Sequence, residues 1–227
     1  MSKRRTYAVI GLGRFGSAVA TTLAEMGEEV IGIDSDEEKV RELSDVVAQA
    51  VQLEASDIKA LREVGVQDVD TAVISIGENI EASLLVVMQV KELGVETVIA
   101  KAVTPLHGRI LQKLGVTRVI YPEREMAIRL AHSLVVPNVL DYIEVSKDYS
   151  IVDIEAPAAF TGQTLKELAL RPRYGLTLIA IKRKGSGSMP EIAIVAPSAD
   201  EKIEAGDVLS LLGATERLGQ VSKLVGS

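Results

Sequence analysis

A chain of 227 residues, 47% of them hydrophobic and none of them cysteine, can bury one large core or two small ones. The missing cysteine excludes disulfides, thiol catalysis and thiolate metal sites. A net charge of −7 with 3% aromatic residues lacks the basic footprint and stacking platform of a nucleic-acid binder, and disfavours docking of the whole surface on anionic lipid.

Strand-like apolar runs occur at Tyr7–Ile10, Val30–Ile33, Ala48–Val51, Thr71–Ile76, Thr97–Val103 and Arg118–Tyr121. Helical patterns fill the intervals, beginning near Ser17, Asp36, Asp57, Asn79, Pro105 and Pro122, several with N-cap or first-turn signals. Six strands alternating with helices predict an α/β fold, a Rossmann-like doubly wound parallel sheet; a nucleotide-free flavodoxin-like domain is the alternative, which the glycine loop disfavours. No apolar run reaches the roughly 20 residues of a membrane-spanning helix. The basic start Lys3-Arg4-Arg5 leads quickly into glycines and reads as no secretory signal, so a cytoplasmic protein is expected.

After Pro137 the texture changes. Candidate strands at Leu140–Val145, Ile151–Ala156, Thr177–Lys182, Glu191–Val195 and Asp207–Leu212 are separated by turn-rich stretches, with a hairpin tip at Arg183–Ser188 and a turn at Glu204–Asp207. Short helical patterns at Thr164–Leu170 and Thr215–Val225 complete a smaller α+β domain. Pro137 must interrupt the preceding helix, which places the domains at 1–136 and 137–227.

The chemistry concentrates in Gly11-Leu12-Gly13-Arg14-Phe15-Gly16, a G-x-G-x-x-G between the first strand and the first helix. Glycines there let the backbone approach a phosphate at a helix N-terminus. Asp34 closes the second strand at the spacing where an acid meets a ribose. A carboxylate can accept from both hydroxyls of an unsubstituted ribose and repels a 2′-phosphate, which favours adenosine or NAD over NADP; a helix-capping or turn acid is the alternative. Asp57, after Glu54-Ala55-Ser56, can read the exocyclic amine of adenine or make an ordinary helix cap. Arg14, inside the loop, suits a charged terminal phosphate through its guanidinium fork, or is a solvent-facing helix residue. Lys101, ending the fifth strand, is a second candidate phosphate cation; a partner for a nearby helix acid is the alternative.

These motifs resemble the RCK family, regulators of potassium conductance. The resemblance is carried by G-L-G-R-F-G with Asp34, I-G-E-N at Ile76–Asn79, K-A-V at Lys101–Val103 and Y-P-E-R-E-M at Tyr121–Met126. The tail pattern from Thr164 to Gly175, with Gly206-Asp207, looks like the companion C-terminal domain. The pattern resembles the cytosolic regulatory subunits of Ktr- and Trk-type potassium uptake systems. The resemblance implies a nucleotide site of Gly11, Gly13, Arg14, Phe15, Gly16, Asp34, Ser35, Ser56, Asp57, Ile76, Gly77, Asn79 and Lys101, holding ATP or ADP, or NAD(H). It implies a divalent or monovalent cation at Glu123 between subunits; read without the family, Glu123 is a favourable first-turn acid. It also implies cyclic di-AMP at Leu170, Arg171, Tyr174 and Gly175 of the second domain. The expected partner is a membrane-embedded potassium-translocating subunit, with the protein peripheral at the inner face of the membrane as an octameric ring of RCK dimers.

Assembly has separate support in Leu84-Leu85-Val86-Val87-Met88, which points apolar side chains all round one helix, and in Met126, Ile128, Leu130, Leu134 and Val135 on a later one. An NAD-dependent dehydrogenase is the rival reading. His107 and His132 are the only histidines, both expected as satisfied or solvated surface residues, and no serine sits in a nucleophile elbow. The loop lacks the G-K-[S/T] ending of a P-loop, so ATP hydrolysis is not expected, and the resemblance implies a regulator and no enzyme.

Overall fold

Six of the apolar runs become one parallel sheet in a computed structural model that describes residues 4–77, 79–135, 139–184 and 192–222. β1 (Thr6–Ile10), β2 (Glu29–Asp34), β3 (Gln49–Gln52), β4 (Thr71–Ile74), β5 (Thr97–Lys101) and β6 (Arg118–Ile120) lie in the order β3-β2-β1-β4-β5-β6. Between them run α1 (Arg14–Glu25), α2 (Glu37–Leu43), α3 (Ile58–Glu63), α4 (Ile80–Glu92) and α5 (Pro105–Lys113), and α6 (Pro122–Val135) follows the last strand.

The strands are continuous apolar runs because both faces of the sheet are covered. Successive residues belong to opposite cores. Val9, Val30 and Val73 pack with Leu12, Ala20 and Val40 on one side. Ile10, Ile33 and Ile74 pack with Leu61, Val86, Val98 and Leu111 on the other. Chain order starts at β1, runs out to β3, then returns to β4 and out to β6. The order therefore reverses between β1 and β4, and a doubly wound sheet opens a crevice at the carboxyl ends of such a pair.

The second sheet is antiparallel: β7 (Val139–Glu144), β8 (Tyr149–Glu155), β9 (Thr177–Arg183), β10 (Ile192–Val195) and β11 (Val208–Ala214), in the order β10-β9-β11-β8-β7. α7 (Leu165–Leu168), α8 (Leu170–Tyr174) and α9 (Thr215–Ser222) accompany it. Its core joins Val152, Ile154, Phe160, Leu168, Leu176, Ile181, Leu209 and Leu211. The helical pattern expected over Thr164–Leu170 is two helices, divided at Ala169 in the left-handed region (φ 46°). Pro172 explains the break. Its missing N–H and its ring are tolerated only in a first turn, so a new helix has to begin just ahead of it.

One buried ion pair ties this sheet together. Arg183 of β9 forks onto Asp207, 2.9 Å from Nε to Oδ1 and 2.8 Å from Nη2 to Oδ2, and Asp207 is 1% exposed. Burial alone would raise the Asp207 carboxyl. The hydrogen bond from Arg183, the Glu204 N–H and the guanidinium charge outweigh it and hold the group below the ordinary carboxylate range.

The compact units are Met1–Pro122 and Glu123–Ser227. The boundary read from the sequence, 136/137, falls at the far end of α6. That helix goes with the second unit because Arg129 forks onto Asp141 and His132 stacks on Tyr142, with ring centroids 4.2 Å apart. The Val136–Asn138 junction, Glu78, the hairpin tip at 185–188, the Glu191 start of its return strand and the helix expected beyond 222 lie outside the described residues.

Candidate nucleotide site

The mouth of α1 sets the site apart from its neighbours. Asp36 caps α2 by accepting from the Glu38 N–H, Asp57 caps α3, Asn79 caps α4 by accepting from the Ala82 N–H, and Thr104 caps α5 by accepting from the His107 N–H. α1 starts instead at Gly13, which offers no side chain, and its first turn holds no acid. Its first N–H groups therefore meet no side-chain acceptor, and the positive end of the helix dipole goes uncompensated. A Cβ built on Gly13 would meet nothing within 4 Å, so open space fronts this mouth.

The other two glycines of the motif have packing reasons. Gly11 turns at φ 94° with Ser75 and Ile76 of the β4 exit close by, Ile76 N standing 3.1 Å from where a Cβ would be. A Cβ on Gly16 would overlap the Gly11 carbonyl oxygen, so α1 can approach β1 this closely only without one.

Asp34 joins the loop directly. Its Oδ2 accepts the Leu12 N–H at 2.6 Å and its Oδ1 accepts the Asp36 N–H at 2.9 Å, with Lys39 Nζ at 3.6 Å. One carboxylate thus fixes the glycine loop and the β2–α2 turn against each other. Two acceptor oxygens have about four lone-pair sites, so capacity remains for ribose hydroxyls. Ser35 belongs to the same turn, and its carbonyl accepts from Gln52 Nε2 at 3.1 Å.

On the other side of the crevice, Lys101 Nζ lies 3.3 Å from the Cβ position of Gly77. The structure thus brings Gly11, Ile76, Gly77 and Lys101 to one rim, around the exits of β1, β4 and β5. Arg14 is exposed at the first position of α1 and makes no ion pair among the described residues. The Phe15 ring lines an apolar groove along α1 with Ala18, Val19, Thr22 and Leu23, so its backbone N–H is what faces the mouth. Asp57 uses Oδ1 for its cap, accepting from Lys59 N at 2.9 Å and Ala60 N at 3.4 Å. Ser56 just before it donates to Glu54 Oε1 at 3.3 Å.

Glu123 is an exposed first-turn acid of α6, and the described residues contain no group of three His, Asp or Glu able to hold a metal ion. In the second unit, Leu170 is core at 6% exposure, Arg171 is exposed, and the Tyr174 ring lies 5.9 Å from Phe160. Gly175 turns at φ 69° against the Arg217 side chain, whose Cδ and Cζ would each stand 3.1 Å from a Cβ there.

One expectation needs correcting. His107 is 1% exposed, buried at the third position of α5, with its Nε2 left without a partner among the described residues. Its Nδ1 accepts from the Val103 N–H at 3.5 Å, and burial lowers its pKa. His132 is half-buried against Tyr142. Sequence reasoning also passed over Lys39, Gln52, Gln89 and Arg217. Lys39 carried a signal, a cation on the first turns of the helix after the acid; the glutamines act on residues far along the chain and carried none.

The TrkA-N domain profile matches residues 7–122 and the TrkA-C domain profile residues 149–226. The chain is 40% identical over 222 residues to the Ktr system potassium uptake protein C of Bacillus subtilis (strain 168), covering 98% of each chain. It is 35% identical over 211 residues to Ktr system potassium uptake protein A of the same organism, covering 93% of this chain and 92% of that one. A solved RCK domain of GsuK superposes with a TM-score of 0.65 at 17% identity, over 100% of this chain and 48% of that one, which speaks to the fold alone.

Proposed function

The chain belongs to the TrkA-N/TrkA-C family, the RCK regulators of potassium conductance, and from that membership we propose that it is the nucleotide-sensing regulatory subunit of a membrane potassium uptake system. It is a regulator and not an enzyme. The observation that carries the sensing role is the side-chain-free mouth of α1 beside Asp34, in a chain whose neighbouring helices each cap themselves.

The residues present suit an adenine nucleotide. The N–H groups of Arg14, Phe15 and Gly16 receive phosphate, Asp34 receives the ribose hydroxyls, and Asp57 receives the amine of adenine. Arg14, exposed at the mouth, reaches a terminal phosphate, its own or a neighbouring subunit's. Lys101, with Ile76, Gly77 and Asn79, bounds the far wall. The same acid suits the ribose of NAD(H), and a negative 2′-phosphate is disfavoured in either case.

Regulation requires no chemical step. ATP and ADP differ by one charged phosphoryl group, and a ligand shifts a conformational equilibrium only by its differential affinity for the two states. Moving a population from 1:99 to 99:1 takes about 5.5 kcal/mol, which several identical sites in an assembly can share. Exposed apolar side chains on α4 (Leu85 41%, Met88 53%) and α6 (Met126 59%, Leu134 75%) support an assembly of copies, an octameric ring by family resemblance. No described helix is long and apolar enough to cross a membrane, which suits a cytoplasmic subunit docked on a membrane-embedded partner. A cation at Glu123 and cyclic di-AMP at Leu170, Arg171, Tyr174 and Gly175 are further parts of this reading, drawn from the resemblance.

The test is Arg14→Ala. Potassium flux into vesicles carrying the reconstituted system should show a narrowed difference between ATP and ADP. An unchanged nucleotide dependence counts against the assignment.

A further inference from the structure

Gln89 lies on α4, 33 residues along the chain from the turn it touches. Its side-chain amide donates through Nε2 to the carbonyl of Ser56. That carbonyl belongs to the residue before the α3 cap, so the helix does not use it; the first intrahelical bond, from the Leu61 N–H, goes to the Asp57 carbonyl. The amide orientation is forced, because a flipped Gln89 would set Oε1 against the Ser56 oxygen. The cost of that orientation is visible. Oε1 is buried and accepts nothing among the described residues. A side chain that leaves its own acceptor stranded in order to grip one carbonyl is poorly suited to being mere packing material.

The grip has a chemical consequence. Fixing the Ser56 peptide fixes where Asp57 begins, and the Asp57 N–H and Oδ1 are already committed to Glu54 O and to the α3 cap. The direction of the remaining carboxylate oxygen is thereby set by a turn held at three points. A carboxylate oxygen there accepts from the 6-amino group of adenine and repels the 6-oxo oxygen of guanine. We infer that Gln89 is a positioning residue for base selection: by holding the Ser56 carbonyl it aims the Asp57 carboxylate, and so makes the site prefer adenine to guanine. The inference rests on the nucleotide-sensor reading above and adds the residue that positions its base contact.

Calorimetric titration of the full chain with ATP and with GTP tests it, using wild type, Gln89→Met and Gln89→Lys. Methionine keeps the length and apolar packing of the side chain and removes the donor. Lysine restores a donor to the Ser56 carbonyl and removes the stranded acceptor. The ATP:GTP affinity ratio should fall by about tenfold in Gln89→Met, through loss of ATP affinity with GTP affinity unchanged or raised, and should be kept in Gln89→Lys. A packing role alone predicts the opposite order, with methionine tolerated and lysine disruptive, and that result overturns the inference. Wild type binding ATP and GTP equally also overturns it, while leaving the phosphate and ribose contacts standing. Wild type binding neither nucleotide removes the sensor reading itself.

Discussion

Gly13→Ala and Gly16→Ala should damage the protein in opposite ways. At Gly13 the backbone (φ −67°, ψ −176°) is one any residue adopts, and a Cβ meets nothing within 4 Å. Replacing glycine there gains about 0.4–1 kcal/mol from the unfolded chain and loses a similar amount as a poorer N-cap, so stability should stay within about 0.5 kcal/mol of wild type. The new methyl group stands in front of the α1 mouth, however. Displacing one charged hydrogen bond to a phosphate costs about 1.5–3 kcal/mol, or about 10- to 150-fold in affinity. At Gly16 the Cβ overlaps the Gly11 carbonyl oxygen and crowds Gly11 C at 3.0 Å and Ser75 Cβ at 3.1 Å. Backbone must then move by roughly an ångström in a close-packed layer, at about 1–3 kcal/mol, lowering the melting temperature by about 2–12 °C. Thermal unfolding without nucleotide and calorimetric titration with ADP separate the two. If Gly13→Ala binds ADP like wild type, the anion is not at this mouth; if Gly16→Ala melts like wild type, the close approach of α1 to β1 is wrong.

Two further outcomes follow from strain and burial. Ala169 sits at φ 46°, where an L residue is disfavoured by about 1–2 kcal/mol and glycine is not, so Ala169→Gly should raise the unfolding free energy of the second unit by about 1 kcal/mol, read as a higher urea midpoint; a fall would mean the α7–α8 break does not need that conformation. Burial holds His107 below its ordinary value of 6.5, so the folded state keeps the ring neutral while the unfolded chain takes up a proton. The contribution is complete above 6.5 and is lost as pH falls through the folded-state pKa. His107→Leu should flatten the stability profile just below about pH 6.5, and an unchanged slope in urea titrations would refute the burial of a neutral imidazole.

The fold was legible in the sequence because its signals are local. Apolar runs, with Asp36, Asp57, Asn79 and Pro105 at the helix starts between them, mark the alternation of the first unit, and the strands lie there. The strand ends were overrun. Thr71–Ile76 stops at Ile74 and Thr97–Val103 at Lys101, because an apolar residue leaving a strand to line a crevice looks the same in sequence as one inside it. The proximity of Asp34 to the glycine loop was readable from spacing. That Asp34 holds the loop through the Leu12 N–H was not, since the bond depends on how two parallel strands are staggered. His107 was misread for a related reason. Polar character says solvent, but the third position of α5 points inward, and the side chain had no alternative. The face of α4 carrying Leu85 and Met88 shows the converse, where the run of apolar residues anticipated more surface than one sheet covers.

The missing cap of α1 leaves its first N–H groups without a side-chain acceptor, and under the function proposed above an outside anion completes them. A guest that docks there becomes a structural part, and its concentration sets how firmly the first sheet is held, in proportion to RT ln(1 + [L]/Kd). A single hydroxyl, introduced as Gly13→Ser, would supply that acceptor from within and make the protein deaf to the metabolite while leaving it folded.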